Sequence, residues 1–489
     1  MNAALRRVSM TVLAMVVVLL ANATYVQVIN ADHLRLNPLN KRVSLDEYSR
    51  QRGQISADGQ PLAVSVPTDD RYKYLRTYPT SPLAYAPVTG FYSMHYGSTG
   101  LELAENQVLN GSDDRLFGRR FFDLLSGRDP RGGNVVTTIK PRMQQVAYDE
   151  LTSKGFRGSV VAIEPSTGNI LAMVSTPSFD PNLLAGHNPG VVAQNKDLLE
   201  SDPDHPTLNR AVSQRYAPGS TFKVVVAAGA LSNGASPDQQ VTAAPSITLP
   251  GTNTQLPNYG NSHCGPGGGA TTTLTVAFAE SCNTAFAELG IQLTDADLRA
   301  QAEAFGIEST STIPIEVAAS TVGAIEDDAE LGQASIGQKN VALTPMQNAV
   351  IAATVANGGL RMEPHLVAEL QGPDYSDLAT TRPASVEQAI SRDVAAQLTN
   401  MMIEAEKHAE LGIVNGSLPS AQIASKTGTA EHGDGLPPNA WYIAFAPADD
   451  PKIAIAVIVE DGGDRGQSAT GASVAAPIAR AVIAAGLDK

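Results

Sequence analysis

The chain is poor in the residues that cross-link small proteins or bind metals. Its 489 residues include two cysteines and eight histidines. Two cysteines exclude a cysteine-dense disulfide scaffold and an all-cysteine zinc site, although an exported domain could still form one disulfide. The histidines are scattered, without the HxxxH or HExxH spacing of zinc enzymes. A metal enzyme is therefore not indicated.

Basic residues are also scarce. There are 34 lysines and arginines against 49 aspartates and glutamates, which gives a net charge of −15. Non-specific nucleic-acid binding depends on a surplus of basic residues, so this balance argues against it. The composition is 43% hydrophobic and 17% charged, which is typical of a globular protein. At roughly 150 residues a domain, the length suggests about three structural units.

Only one long hydrophobic run is present, and it lies near the N-terminus. Two arginines precede an apolar stretch at residues 8–26, close to the roughly 20 residues that a membrane-spanning helix needs. We therefore expect a cytoplasmic N-terminus at 1–7, a single-pass transmembrane signal anchor at 8–28, and the bulk of the chain outside the cytoplasm. The alternative is a cleaved signal peptide, because 21–23 reads Ala-Asn-Ala and fits the small-residue cleavage pattern.

The remaining sequence divides into two parts. Residues 29–150 mix short apolar runs with turns, which predicts a small α+β module. Residues 151–489 begin and end with pairs of buried strands and carry helical runs between them. This pattern predicts one large α/β domain whose sheet pairs its first strands with its last. The strand runs are at 159–163, 169–174, 441–446 and 453–459.

Three short motifs in the larger part carry chemistry. Ser220-Thr221-Phe222-Lys223 opens a predicted helix, Ser281-Cys282-Asn283 follows a glycine-rich loop, and Lys426-Thr427-Gly428-Thr429 lies in a predicted strand. A spacing of three places a serine and a lysine on one helical face. Backbone N–H groups at the same helix start can stabilise an oxyanion. Each motif alone is weak, but chance rarely gives the three in this order.

The motifs in this order are those of β-lactamases and penicillin-binding proteins. The chain resembles the class B penicillin-binding proteins, and in length the short A-type members of actinobacteria. Three further segments carry the resemblance: Arg52-Gly53-Gln54-Ile55, Tyr96-Gly97-Ser98-Thr99-Gly100-Leu101-Glu102 and Gly332-Gln333-Ala334-Ser335-Ile336-Gly337-Gln338. The resemblance implies a pedestal or dimerisation-like module, followed by a transpeptidase domain with a central antiparallel sheet flanked by helices.

The same resemblance implies acyl transfer through a covalent acyl-enzyme. Ser220 is the expected nucleophile and Lys223 its base. Ser281 would relay the proton to the leaving amine, and Asn283 would orient Lys223 and hold the substrate amide. The expected groups for the substrate carboxylate and for the oxyanion hole are Lys426, Thr427, Gly428 and Thr429, together with the backbone N–H of Ser220.

The implied donor is a peptidoglycan stem peptide ending in D-Ala-D-Ala. Transfer would release D-Ala and form a 4,3-type cross-link with an amine of a neighbouring stem peptide. A β-lactam would imitate the donor and stay attached as a slowly hydrolysed ester. No cofactor or metal is implied. The expected partners are the membrane, a glycosyltransferase and other cell-wall synthesis proteins of growth and division, and no nucleic acid.

The two cysteines lie close to the second motif. Outside the membrane, a disulfide between Cys264 and Cys282 would tie the glycine-rich loop to the edge of the expected site. The alternative is a pair of free buried thiols.

Other functions share the three motifs. A serine β-lactamase would hydrolyse the drug, but the module ahead of the larger domain argues against a free β-lactamase. A D,D-carboxypeptidase side activity would resolve the ester with water. A non-catalytic scaffold is less favoured because all five motif residues with side-chain chemistry are intact.

Overall fold

The computed structural model describes residues 2–30, 34, 48–70, 72–127, 129–410, 421–431, 433 and 435–488. Part of the predicted module, including most of 31–47, lies outside the described residues. A helix at Asn2–Thr24 continues as a π-helical turn at Tyr25–Ile29. Residues Leu5–Ile29 are exposed throughout and are long and apolar enough to cross a membrane.

The rest of the described chain forms a six-stranded sheet, a five-stranded sheet, five two-stranded sheets and the helices that connect them. The longer strands are β1 Ile55–Ala57, β2 Gln60–Pro67, β3 Tyr74–Thr77, β6 Asn134–Thr137, β7 Gly158–Ile163, β8 Ile170–Thr176, β16 Val367–Gln371, β17 Asp377–Thr380, β19 Ala424–Ala430, β20 Asn439–Ala446 and β21 Ile453–Val459. Shorter strands are β4 Tyr92–Ser93, β5 Gly97–Ser98, β9 Gln240–Thr242, β10 Ser246–Thr248, β11 Gln255–Pro257, β12 Thr271–Thr273, β13 Ser311–Thr312, β14 Glu316–Val317, β15 Leu360–Met362 and β18 Ser385–Gln388.

The helices lie between these strands. They are α1 Asn2–Thr24, α2 Pro82–Thr89, α3 Gly100–Ala104, α4 Asn106–Leu109, α5 Phe117–Leu125, α6 Pro141–Thr152, α7 Asn182–Ala185, α8 Pro189–Ser201, α9 Arg210–Ser213, α10 Lys223–Ser232, α11 Leu274–Ala279, α12 Asn283–Ala304, α13 Asp328–Ala334, α14 Pro345–Ala356, α15 Arg392–Glu410 and α16 Ala476–Leu487. A 3₁₀ turn at Gly219–Phe222 leads into α10, and a π-helical turn at Gly471–Ala475 leads into α16.

The sheet of the larger domain has the order β19-β20-β21-β7-β8 and is antiparallel throughout. Strand β21 pairs with β7, so the last strands do join the first, as the sequence predicted. Every residue of β7, β8, β20 and β21 is buried. Helices cover both faces, with α14 against β21 on one side and α16 against β21 on the other. Strand β19 forms one edge of the sheet.

The second sheet contains strands that the sequence did not place there. Its order is β17-β16-β6-β1-β2-β3. Strands β16 and β17 come from the part predicted as the larger domain, yet β16 pairs antiparallel with β6. The chain therefore returns to complete the sheet of the N-terminal module. The sequence did not predict this pairing, because strands that pair across a long sequence separation leave no local pattern.

Candidate active site

Ser220 lies where the chain turns into the central helix of the larger domain. Tyr216 and Leu343 exchange backbone hydrogen bonds of 3.0 and 2.8 Å, and the Trp441 indole donates to the Ala217 carbonyl at 3.0 Å. These contacts fix the chain just ahead of the turn Gly219–Phe222. Ser220 is half-buried, and the chain continues from it into the almost wholly buried α10. The serine is thus held at the surface end of a rigid element.

Lys223 is the first residue of α10 and is fully buried. Its Nζ donates to the backbone carbonyl of Ser281 at 2.7 Å and to Oδ1 of Asn283 at 2.8 Å. Both partners are acceptors, so a neutral amine would use its two N–H groups there and keep its lone pair free for a proton. Among the hydrogen bonds of the described chain, none joins this amine to the Ser220 hydroxyl, although the two motif residues are one turn apart.

Ser281 has an unusual backbone conformation for a serine. Its φ is 62°, in the left-handed region. It follows α11, and the N–H groups of Ser281 and Cys282 donate to the carbonyls of Phe278 and Ala277 at 3.1 and 2.9 Å. This is the Schellman ending of a helix, in which the left-handed position usually belongs to glycine. A serine kept in this strained position suggests that its side chain is needed there.

Lys426 points from the edge strand β19 to the same serine. Its Nζ donates to Ser281 Oγ at 2.9 Å and to the Thr427 carbonyl at 3.1 Å, and Ser281 Oγ also lies 3.5 Å from Lys223 Nζ. The three motifs therefore meet around one hydroxyl. Lys426 is buried, whereas Thr427 and Thr429 are partly exposed along the edge.

Both lysines lie in surroundings that disfavour a charge. Their amines lie near aromatic rings, Lys223 at 5.5 Å from the Phe286 centroid and Lys426 at 5.7 Å from that of Phe278. A cation–π contact of this kind favours the charged form, so burial is what disfavours the charge. Burial lowers the pKa of Lys426 to about 7. Burial, together with the nearby charge of Lys426, holds the pKa of Lys223 well below its usual value. A neutral Lys223 is thus accessible near neutral pH.

Two glycines bring the backbone of Ser220 against β19. A Cβ on Gly219, whose φ is +54°, would lie 2.8 Å from the Thr429 carbonyl oxygen. Gly219 N–H donates to the Gly337 carbonyl at 2.9 Å, and a Cβ on Gly337 would overlap the Gly219 carbonyl. Among the backbone hydrogen bonds that the described residues form outside regular elements, none is donated by the Ser220 N–H. In the sequence, Gly337 is part of a segment that resembles the family, but no sequence pattern predicts its contact with Gly219.

Asn283 and Cys282 connect the site to the neighbouring loop. Asn283 Nδ2 donates to the Pro257 carbonyl at 3.1 Å. Pro257 ends β11, a short strand within the predicted glycine-rich loop. The sulfur atoms of Cys264 and Cys282 are bonded, with their Cα atoms 6.0 Å apart. The loop is thus tied to the residue that follows Ser281.

A buried ionic cluster behind β19 was also missed. Glu406 of α15 accepts hydrogen bonds from Ser425 Oγ at 2.5 Å, Tyr442 Oη at 2.7 Å and Arg480 Nε at 2.9 Å. Ser425 immediately precedes Lys426, and successive strand side chains point to opposite faces. The cluster therefore fixes the strand from the face opposite the lysine. No local sequence pattern marks Glu406, because its partners come from β19, β20 and α16.

The antiparallel sheet flanked by helices, with the three motifs meeting at its edge, defines a transpeptidase fold of mixed α/β class. The chain belongs to the penicillin-binding protein transpeptidase family. The family described as "Penicillin binding protein transpeptidase domain" matches residues 158–484, and "Penicillin binding protein A dimerisation domain" matches 52–135.

Similar proteins span nearly the whole chain. Peptidoglycan D,D-transpeptidase PbpA of Mycolicibacterium smegmatis is 58% identical over 494 residues, which cover 100% of this chain and 99% of that protein. PbpA of Mycobacterium tuberculosis is 58% identical over 495 residues, with the same coverage. Penicillin-binding protein A from M. tuberculosis, solved as a ceftriaxone acyl-enzyme complex, matches with a TM-score of 0.88 and 57% identity, covering 91% of this chain and 100% of that one.

Proposed function

We propose that this protein is a peptidoglycan D,D-transpeptidase that works through a serine acyl-enzyme. The proposal is supported by the relatives named for that activity and by the β-lactam acyl-enzyme complexes of the M. tuberculosis protein. The observation that carries it for this chain is the meeting of Lys223 and Lys426 at Ser281, with Lys223 one helical turn after Ser220. The donor is a stem peptide ending in D-Ala-D-Ala, and β-lactams are covalent inhibitors.

The first step needs a base for the Ser220 hydroxyl. Lys223 takes its proton while Ser220 Oγ attacks the carbonyl carbon of the penultimate D-Ala. The amide C–N bond then breaks, and a proton passes by way of the Ser281 hydroxyl to the leaving D-Ala amine. The 2.9 and 3.5 Å distances from Ser281 Oγ to the two lysine amines support this relay. An amine of a second stem peptide then attacks the ester and restores Ser220.

The charged groups of the substrate bind along the edge strand β19. The carboxylate of the leaving D-Ala is bound by Thr427 and Thr429, next to the positive field of Lys426. The oxyanion is stabilised by the backbone N–H groups of Ser220 and Thr429, which the glycine contacts described above hold close together. Asn283 orients Lys223 through its amide oxygen.

The N-terminal helix serves as the membrane anchor in this proposal. Residues 8–28 span the bilayer, 1–7 remain in the cytoplasm, and the catalytic domain faces the peptidoglycan. The length and full exposure of Leu5–Ile29 support the anchor. The module at 29–150 separates the catalytic domain from the membrane. Cell-wall partners, including a glycosyltransferase, would contact this part of the chain.

The test is intact-protein mass spectrometry of the full chain in detergent after incubation with penicillin G. We expect a stable adduct equal to the mass of the drug, on the peptide that contains Ser220. The adduct should be absent in Ser220→Ala and present in Ser213→Ala, which alters an exposed serine outside the site. A folded chain without adduct would contradict the proposal. Rapid release of hydrolysed drug would favour a β-lactamase instead.

A further inference from the structure

Helix α5 of the N-terminal module exposes its apolar face to solvent instead of burying it in the protein core. Four of its apolar side chains face solvent: Phe117 is 60% exposed, Phe121 52%, Phe122 69% and Leu125 69%. Residues 117, 121 and 125 follow one another at four-residue spacing and share one face. Helices of globular proteins normally bury this face. A cluster of exposed aromatic rings of this kind marks an interaction surface.

The two arginines of α5 contact the rest of the protein. Arg119 forms an ion pair with Asp374 in the turn between β16 and β17. Arg120 donates to the Gly111 carbonyl at 3.2 Å, and its guanidinium lies 5.7 Å from the ring centroid of Phe117. These contacts hold the helix in place by its polar side. The exposure of the phenylalanines is therefore a consequence of how the helix is attached.

Residues 51–53, which follow the N-terminal helix and its linker, lie against the segment that leads into α5. Gly53 N–H donates to the Leu109 carbonyl, and Gly132 N–H donates to the Gln51 carbonyl, at 2.8 and 2.9 Å. Leu109 lies directly ahead of the segment that leads into α5. Residues 30–47 separate the N-terminal helix from Tyr48, and a stretch of this length reaches no more than about 65 Å even when fully extended. The anchor thus keeps α5 within reach of the bilayer.

Arginines flank the apolar face of α5, but they have partners within the protein. Arg119 pairs with Asp374, and Arg115 pairs with Asp113. Phenylalanine and leucine on the exposed side of a helix, in a chain with an adjacent membrane anchor, are typical of a helix that lies at a bilayer interface.

We propose that α5 docks on the outer surface of the membrane, with Phe117, Phe121, Phe122 and Leu125 inserted among the lipid chains. The proposal rests on the anchor described under Proposed function. The docked helix gives the module a second membrane contact next to the anchor. This contact would limit how the catalytic domain tilts relative to the bilayer.

The test uses the full chain in vesicles of phosphatidylcholine and phosphatidylglycerol, at about one chain a vesicle. The natural chain has one tryptophan, Trp441, which is fully buried. Phe122→Trp adds an indole to the exposed face of α5. Tyr259→Trp is the matched control, because Tyr259 is an aromatic residue with 77% exposure in the larger domain. Lipids brominated on the acyl chains quench indoles that enter the bilayer.

We expect bromolipids to remove at least about three times more of the added emission in Phe122→Trp than in Tyr259→Trp. Phe117→Trp provides a second probe if Phe122→Trp lowers the thermal unfolding midpoint. Equal quenching in the variant and the control, with the chain floating on a density gradient together with the vesicles, would overturn the docking alone. A blue shift without bromine quenching would indicate contact with protein and would also overturn it.

Two further outcomes separate the components of the proposal. A chain that does not float with the vesicles would overturn the anchor, and the docking with it. In vesicles of phosphatidylcholine alone we expect most of the bromine quenching to remain, because the inserted side chains are apolar and the arginines are paired within the protein. Loss of most of the quenching without anionic lipid would overturn insertion of the apolar face as the basis of docking.

Discussion

Lys223 and Lys426 donate hydrogen bonds to the same residue, Ser281, one to its backbone and the other to its side chain. Lys223 donates to the backbone carbonyl of Ser281, and Lys426 donates to its hydroxyl, at 2.7 and 2.9 Å. Both amines are buried, and burial lowers the pKa of each. The protein therefore maintains two lysines where a full positive charge on both is unfavourable. The two buried amines lower the free energy of unfolding, and the proposed acyl transfer is what requires them.

Lys426→Met should stabilise the fold while it abolishes acylation. The pKa of Lys426 is about 7 in the folded protein, against a usual 10.5, so the unfolded chain binds the proton more tightly between these values. The destabilisation is complete below pH 7 and disappears as the pH rises towards 10.5. We expect Met to raise the free energy of unfolding by about 2–4 kcal/mol at pH 6.5, with the gain lost by about pH 10.

Urea unfolding between pH 6 and 10 measures this difference. Lys452→Met, at a lysine with a 57% exposed side chain, should change the free energy of unfolding by less than about 0.5 kcal/mol at every pH. A gain at Lys426 that does not decrease with rising pH would contradict the explanation.

Ser281→Gly should separate backbone strain from chemistry. Glycine accepts a φ of 62° without penalty, so the folded state should gain up to about 1 kcal/mol. The lost hydroxyl removes the contact with Lys426, and the penicillin acylation rate should fall at least about 100-fold. Ser281→Ala should lose the same activity without the gain in stability. Stopped-flow acylation and thermal unfolding of both variants measure the two effects, and a stable, active glycine variant would rule out the relay.

Gly337→Ala should inactivate the site without removing any chemical group. Its Cβ would collide with the Gly219 carbonyl at a φ of +72°, and this would displace the backbone of Ser220 from β19. Gly234→Ala has a similar φ of +94° but open space around it, so it should cost only the conformational penalty of about 1 kcal/mol. We expect acylation to fall at least about 100-fold in the first variant and to be unchanged in the second.

Replacement of both cysteines by alanine tests the link between the loop and the site. Loss of a disulfide that closes a loop of 18 residues should lower the free energy of unfolding by about 3 kcal/mol. Acylation should slow because Cys282 adjoins Ser281. Alkylation under denaturing conditions should find two thiols in the natural chain only after reduction. An unchanged thiol count after reduction would show that the cysteines are not bonded to each other.

The sequence identified the candidate site residues better than the backbone contacts around them. Ser220, Lys223, Ser281, Asn283 and Lys426 could be proposed because each lies in a short motif, and the structure brings the last four of them together. The sheet of the larger domain was predicted because its strands are uniformly apolar. The pairing of β16 with β6 and the contact of Gly337 with Gly219 were not, because both join backbone segments distant in sequence. Such contacts depend on tertiary structure and leave no periodic signal.

Glu406→Gln should show whether the cluster behind β19 positions Lys426. The neutral amide would leave the buried Arg480 guanidinium without its carboxylate, which should cost about 3–5 kcal/mol of stability. Ser425 would lose its charged acceptor, so the edge strand should move more freely and acylation should slow about tenfold or more.

A purely structural role would lower the unfolding midpoint and leave the rate of acylation by penicillin unchanged at a temperature where the variant is folded. Glu404→Gln on the same helix, at a side chain that is 48% exposed, should change neither quantity. Because Ser425 and Lys426 are consecutive residues on opposite faces of one strand, a slower acylation at full saturation with the drug would place Glu406 among the residues that position the lysine.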